Sequence, residues 1–235
     1  MYHKVSGTGV GDDMTMPVLL LERQFHYLKQ EGYTTILMSE LLDHVVNKTT
    51  LPARPLLITF DDGYADNYTH LYPLLQQYGF KATIFLVAAF VKNAVDRAAD
   101  TNKEYLCLEE IRSMDPTVVE FGLHSYDHSN YDQLSTLELG YDIRQCKELL
   151  QSMDIPFQPC IAFPYGAYPR RDRPRQQSFF NTLQKKQVAL AFRIGNRLNR
   201  LPFRNPLLIQ RLDIKGNMSF EKFIKLIKNG KALFH

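Results

Sequence analysis

Leu56-Leu57-Ile58-Thr59-Phe60-Asp61-Asp62-Gly63-Tyr64 is an apolar run that ends abruptly in two adjacent carboxylates and a glycine. Apolar and β-branched residues running into glycine predict a buried strand over 56–60 that leaves its sheet at Gly63. Both carboxylates then stand at the strand's C-terminal end, where α/β folds usually place their chemistry. Two neighbouring aspartates repel each other, and a divalent cation is the simplest compensation. Taken alone, Asp-Asp-Gly is equally a turn in which Asp62 caps the next helix.

On the N-terminal side of this stretch, residues 1–5 read as a short first strand. Residues 6–17, with three Gly, two Asp and a Pro, read as a loop. Leu21, Phe25 and Leu28 recur at helical spacing, and Gly32 ends that helix. The β-branched and apolar run 34–38 predicts a strand, and Ser39 is placed to cap a short helix over 40–46. On the C-terminal side, 65–78 predicts a helix carrying Tyr68, Leu71, Leu74 and Leu75 on one side, with Gly79 as its stop. Further strands are expected at 82–87, 117–123, 160–163, 188–194 and 207–214. Residues 91–104 are polar and read as an excursion, and Leu108 and Ile111 belong to a short helix. Ser135-Thr136-Leu137-Glu138 has the form of a capping box opening a helix to about Met153. Two more helices are expected, over 174–187 and from Ser219 onward with Phe220, Phe223, Ile224 and Ile227 inward. Strands and helices alternate seven or eight times, which predicts an α/β fold with a parallel sheet and crossover helices. At 235 residues, closure into a barrel or near-barrel is expected over an open doubly wound sheet, with 1–235 as one domain.

Composition is that of an ordinary globular protein, 45% hydrophobic and 23% charged. No apolar run reaches the roughly 18–20 residues of a membrane span. The first residues lack the apolar core of a signal peptide, so a cytoplasmic location is the expectation for the chain as written. Cys107, Cys146 and Cys160 have no close metal-type spacing and read as reduced structural thiols. The net charge of +3 hides an asymmetry: residues 165–204 hold ten Lys or Arg and one acid, Asp172. Such a segment suits an anionic partner such as a charged glycan, a lipid phosphate or a nucleotide diphosphate, or else is a solvated surface loop. No nucleic-acid-binding motif accompanies the charges.

A second signal is Leu123-His124-Ser125-Tyr126-Asp127-His128, again at a strand end. Two histidines four apart on a helical turn would point the same way and offer one metal ion two nitrogens. Asp62 also ends a parallel strand, so all three side chains can converge on one face of the barrel. Two histidines and one carboxylate leave coordination positions for water and substrate, which is the pattern of a catalytic centre. A third signal is Ile161-Ala162-Phe163-Pro164-Tyr165-Gly166, by itself only a turn after a strand. A fourth is His3, after the first strand, which by itself signals nothing.

In their order and spacing, Thr59-Phe60-Asp61-Asp62-Gly63, His124-Ser125-x-x-His128 and Phe163-Pro164-Tyr165-Gly166 resemble the first three motifs of the polysaccharide deacetylase family, the NodB-homology carbohydrate esterases. Met1-Tyr2-His3-Lys4-Val5 and Phe25-x-x-Leu28-x-x-x-Gly32-Tyr33 further resemble its permuted poly-N-acetylglucosamine deacetylase branch. The resemblance implies a distorted (β/α)7-type barrel and a metal-dependent hydrolase that removes N-acetyl groups from a sugar. It implies Asp62, His124 and His128 as metal ligands, with zinc first and cobalt, nickel or iron also suited to the set. It implies Asp61 as general base, His3 as general acid in place of the family's C-terminal histidine, and the Tyr165 N–H as an oxyanion donor. Where many members carry an arginine that orients the base, this chain has Ala162, and Arg211 at the end of the last strand is the expected replacement. The partner expected is an N-acetylated glycan: polymeric, oligomeric, anionic or carrier-linked. Two other readings stand beside this one: hydrolysis of another amide, such as a cyclic imide or ureide, and a non-catalytic sugar-binding module.

Overall fold

The computed structural model describes residues 1–95 and 104–231. Its strands are β1 (Lys4–Ser6), β2 (Thr15–Pro17), β3 (Thr34–Thr35), β4 (Pro55–Leu56), β5 (Thr59–Asp62), β6 (Ala82–Leu86), β7 (Val119–Leu123), β8 (Cys160–Ala162), β9 (Leu190–Ile194) and β10 (Ile209–Arg211). Its helices are α1 (Val18–Gln30), α2 (Met38–Asn47), α3 (Tyr72–Tyr78), α4 (Ala88–Val95), α5 (Leu108–Ser113), α6 (Thr136–Ser152), α7 (Arg173–Lys185) and α8 (Phe220–Asn229). A π-helical segment, Asn67–Leu71, leads into α3, and a 3-10 turn, Pro164–Gly166, follows β8.

Six strands form one parallel sheet in the order β10-β9-β8-β7-β6-β5. Inward and outward side chains alternate along it, as the period of a strand requires. Phe85, Cys160, Ala162, Leu190, Phe192 and Ile209 face one another inside, joined by Ile36, Met38 and Leu41. Ile84, Leu86, Ile161 and Ala191 face the helices. The sheet is curled so far that its two edges nearly meet: Arg211 of β10 hydrogen-bonds Asp61 of β5 across the interior. Met1 and Tyr2 fill the seam between those edges. Tyr2 N–H donates to Thr59 O and Asp61 N–H to Tyr2 O, both at 2.9 Å. On the other side, the Met1 nitrogen donates to Leu212 O at 2.9 Å and Ile214 N–H to Met1 O at 3.1 Å. The expected barrel-like α/β fold is therefore present.

Several local readings differ. Residues 15–17, read as loop, are β2, because they run parallel to β1. The run 34–38 holds only a two-residue strand. The chain turns helical at Met38, whose side chain is fully buried in the interior cluster. Ser39 is thus inside the helix. The start is instead held by Glu40, whose carboxylate accepts the Leu37 N–H at 2.7 Å. The strand expected over 56–60 is divided: Leu56 pairs with β3, while Thr59 begins pairing with β6. The excursion expected over 91–104 is helical in α4 as far as Val95, and 96–103 lie outside the described residues. The capping box of α6 is as read, with Glu138 N–H donating to Ser135 Oγ at 3.3 Å and Ser135 N–H to Glu138 Oε2 at 2.8 Å. Among the described residues no helix is long and apolar enough to cross a membrane.

Phe163, fully buried at the end of β8, packs against Tyr131, Tyr168 and Phe179 with ring centroids 5.3–6.1 Å away. Phe163→Ala is expected to lower stability by about 3–5 kcal/mol in urea denaturation. Leu137→Ala, at a site 82% exposed, is expected to change it by less than about 0.5 kcal/mol.

Candidate active site

Strand register brings the motif ends together. Asp62 is level with Leu86, Leu86 with Leu123, and Leu123 with Ile161, so Asp62, His124 and the 163–166 turn emerge on one rim. Successive residues of a strand point to opposite faces, yet both aspartates serve this rim. Asp61 faces inward, and Phe60 lies outside, stacked on Tyr2 at 5.1 Å. Asp62 rejoins Asp61 because its φ is +74°, which ends the extended conformation. Aspartate tolerates this left-handed region better than most residues. Gly63 follows at φ +75°, and a Cβ there would lie 2.7 Å from Leu86 Cδ2, so the turn needs glycine.

One carboxylate oxygen of Asp62 and one ring nitrogen each from His124 and His128 form a group whose atoms all lie within 4.8 Å of one another. Asp62 Oδ1 is 3.3 Å from His124 Nε2 and 3.2 Å from His128 Nε2, and this buried oxygen has no hydrogen-bond partner among the described residues. His124 Nδ1 meets Ala162 O at 2.9 Å. A carbonyl only accepts, so Nδ1 carries the proton and, in the neutral ring, Nε2 turns a lone pair toward Asp62. Lone pairs from a carboxylate and an imidazole facing each other at this range need a cation between them, which is the arrangement of a metal site. Burial works to raise the Asp62 pKa, but when the two imidazoles carry a second proton their hydrogen bonds and charge outweigh it and hold the carboxyl well below the usual range.

The histidine pair is not on a helical turn. Residues 124–130 form an irregular loop in which Ser125 (φ +73°) and His128 (φ +66°) are left-handed, and these reversals bring the rings to 5.1 Å. Asp142 of α6 holds the loop. Its carboxylate accepts from Ser125 Oγ at 2.7 Å, Tyr126 N–H at 3.0 Å and Tyr131 OH at 2.7 Å. Sequence reading missed Asp142. The signal was an acid on the buried stripe of Leu139, Ile143, Cys146 and Leu150.

Asp61 is 2% exposed and gripped by Arg211, with Nη1 2.6 Å from Oδ1 and Nη2 2.7 Å from Oδ2. Burial opposes ionisation, but the guanidinium more than offsets it, so the Asp61 carboxyl sits below its ordinary range. His3 lies beside this pair, between the Met1-Tyr2 stretch that fills the seam and β1. Burial lowers its pKa, against the pull of Asp61 and Asp62. Tyr165, at φ +57° and 65% exposed, meets His128 Nδ1 through its hydroxyl at 3.0 Å. Its N–H donates to no acceptor among the described residues. A further feature absent from the sequence reading is an aromatic wall: Tyr64 stacks on Tyr105 at 5.1 Å, Phe90 lies 4.4 Å from Tyr105, and Phe90 is 6.3 Å from His128. Only Tyr64, directly after Gly63, offered a sequence signal. Of the basic segment, Arg170 donates to Gly166 O at 3.0 Å and lies 5.0 Å over the Tyr168 ring, next to the 164–166 turn.

The polysaccharide deacetylase profile matches residues 48–179, more than half of the chain. YxkH of Bacillus subtilis (strain 168), named for the same family, is 29% identical over 168 residues, covering 72% of this chain and 56% of that protein. The poly-β-1,6-N-acetyl-D-glucosamine N-deacetylase of Staphylococcus aureus (strain MRSA252) is 26% identical over 154 residues, 62% of this chain and 51% of that one. The chain thus spans about half the length of these two relatives. In three dimensions it is similar to the Streptococcus pyogenes deacetylase PplD in complex with acetate, with a TM-score of 0.78 at 20% identity over 97% of this chain and 96% of that one. A de-N-acetylase from Aggregatibacter actinomycetemcomitans has the same TM-score, 0.78, at 20% identity, covering 96% and 97%. At such identity these two establish the shared fold, and the profile match establishes descent: the chain belongs to the polysaccharide deacetylase family.

Proposed function

We propose that this protein hydrolyses the N-acetyl group of an N-acetylated glycan, using a divalent metal ion held by Asp62, His124 and His128. The observation that carries the reading is the buried, unpartnered Asp62 Oδ1 facing two histidine nitrogens at 3.2–3.3 Å. Two imidazoles and one carboxylate suit zinc first, and cobalt, nickel or iron as well. A cation bound there supplies Lewis-acid polarisation of the acetamide carbonyl and lowers the pKa of water. Asp61, kept ionised by Arg211, takes the proton from the attacking water as general base. The Tyr165 N–H, with no acceptor among the described residues, hydrogen-bonds the oxyanion as it develops. An amine leaves poorly until protonated, and His3, just before β1, delivers that proton. The adjacent aspartates thus divide two tasks that one carboxylate could not perform together.

The poly-N-acetylglucosamine deacetylases among the relatives favour N-acetylglucosamine polymers or oligomers as substrate. The basic residues between Arg170 and Arg204 favour an anionic or carrier-linked form of it.

The test is acetate release from N-acetylglucosamine oligomers by metal-loaded protein. Asp61→Asn is expected to retain metal and lose at least about 100-fold in turnover. His124→Ala is expected to lose both metal and turnover. Arg211→Ala is expected to lower turnover through its hold on Asp61, and an unchanged rate would dismiss that role. No acetate from the oligomers, with turnover of a cyclic imide or ureide instead, would replace the reading. Asp142→Ala is expected to weaken metal binding about 10–100-fold in direct titration, because the loop carrying both histidines loses its anchor.

A further inference from the structure

The His3 ring makes no hydrogen bond among the described residues, so its backbone decides where it stands. That backbone is held in two ways. Met1 and Tyr2 are paired on both sides by main-chain bonds to Leu212, Ile214, Thr59 and Asp61, and Lys4 N–H donates to Met14 O at 3.1 Å. The His3 carbonyl is held by a side chain: it accepts from Asn67 Nδ2 at 3.0 Å. Two residues on, the Asp66 carboxylate lies against the Val5 N–H, which favours its ionised form. Asp66 Oδ1 also accepts from Asn67 Nδ2 at 2.8 Å, so the two side chains brace each other. In extended chain, the carbonyl of one residue and the N–H two residues on face the same side, where a neighbouring strand would bond them. Here an Asp-Asn pair takes that strand's place.

We infer that Asp66 and Asn67 are positioning residues that set the His3 imidazole over the site for proton delivery to the leaving amine. The inference rests on the reading of His3 as general acid. Asn67 is fully buried and begins the π-helical segment, a widened turn that is rare and frequently found at functional sites. The same short connection carries Asp62 five residues earlier, so one segment sets both the metal-binding carboxylate and the acid. Holding the strand in place does not by itself account for the pair, because five main-chain bonds already do so at Met1, Tyr2 and Lys4. Burial also pushes the Asp66 carboxyl up to about 6, so its ionised form at neutral pH is a cost to folding and not a gain.

The experiment compares two substrates in metal-loaded protein. An N-acetylglucosamine oligomer expels an amine that must be protonated. 4-Nitrophenyl acetate expels a phenolate that needs no acid. With Asn67→Leu, similar in size and without donors, the oligomer-to-ester ratio of kcat is expected to fall at least about tenfold, with KM for the oligomer within about twofold. If Asn67→Leu does not fold, Asp66→Ala is expected to lower the ratio and Asp66→Asn, which keeps an acceptor for Val5, to restore most of it. A ratio within about twofold of the parent protein in a folded variant overturns the inference, as does a loss confined to KM. His3→Ala separates the two levels. If it lowers the ratio while Asn67→Leu does not, only the positioning role fails. If it leaves the ratio unchanged, the acid assignment fails and the positioning role with it.

Discussion

The paired hydrogen bonds between Arg211 and Asp61, at 2.6 and 2.7 Å, join the first and last strands of the main sheet across its interior. Both groups are almost fully withdrawn from water, where an isolated charge is very costly and removal of either partner typically costs about 3–5 kcal/mol. The curl of the sheet and the ionisation of Asp61 are therefore the same fact viewed twice. If the sheet opened, the two charges would separate; while they stay together, Asp61 remains an anion within 3.9 Å of His124 Nε2. Thr59, at the head of the same strand, adds a hydroxyl 3.3 Å from Nη1 and steadies the guanidinium from beneath.

Around this pair the backbone is repeatedly driven out of its comfortable regions. Asp62, Ser125, His128 and Tyr165 all have positive φ, and all belong to the three loops that meet at the rim. Each such residue costs free energy that the surrounding fold must supply. The return is convergence. A strand cannot aim consecutive side chains at one point, and this irregular loop faces two imidazoles toward one oxygen only because the chain reverses locally. Buried supports hold these reversals: Asp142 under the histidine loop, Leu86 against Gly63, and Ala162 O on His124 Nδ1.

The N-terminal residues complete the arrangement from the opposite side. Met1 and Tyr2 occupy the one place where the curled sheet lacks a strand, and this carries His3 to the rim beside Asp61. Family membership accounts for the motifs, but not for how the segment before β1 is held in place. In this chain the hold comes from hydrogen bonds on both edges, including those of Asp66 and Asn67.

Much of the fold was legible in the residues themselves. The alternation of apolar strands with amphipathic helices, the Ser135–Glu138 capping box and the glycine stops are local patterns, and local sterics and periodicity determine them. The Asp-Asp-Gly, His-x-x-x-His and Pro-Tyr-Gly stretches were legible for the same reason, each being a short motif at a strand end. Where local rules compete with distant partners, the reading failed. β2 exists because it lies against β1, Met38 turns helical because the interior needs its side chain, and the histidines converge through left-handed residues and not through a helical turn. Asp142 gave only the faint sign of an acid on an apolar stripe, since its partners lie 11–17 positions away. Arg211 and Asp61 are 150 residues apart. The sequence alone determined which elements form and which chemical groups stand at their ends, because those depend on neighbours in the chain. Only the tertiary structure decided which groups meet, because meeting depends on how far the sheet curls and what closes its seam.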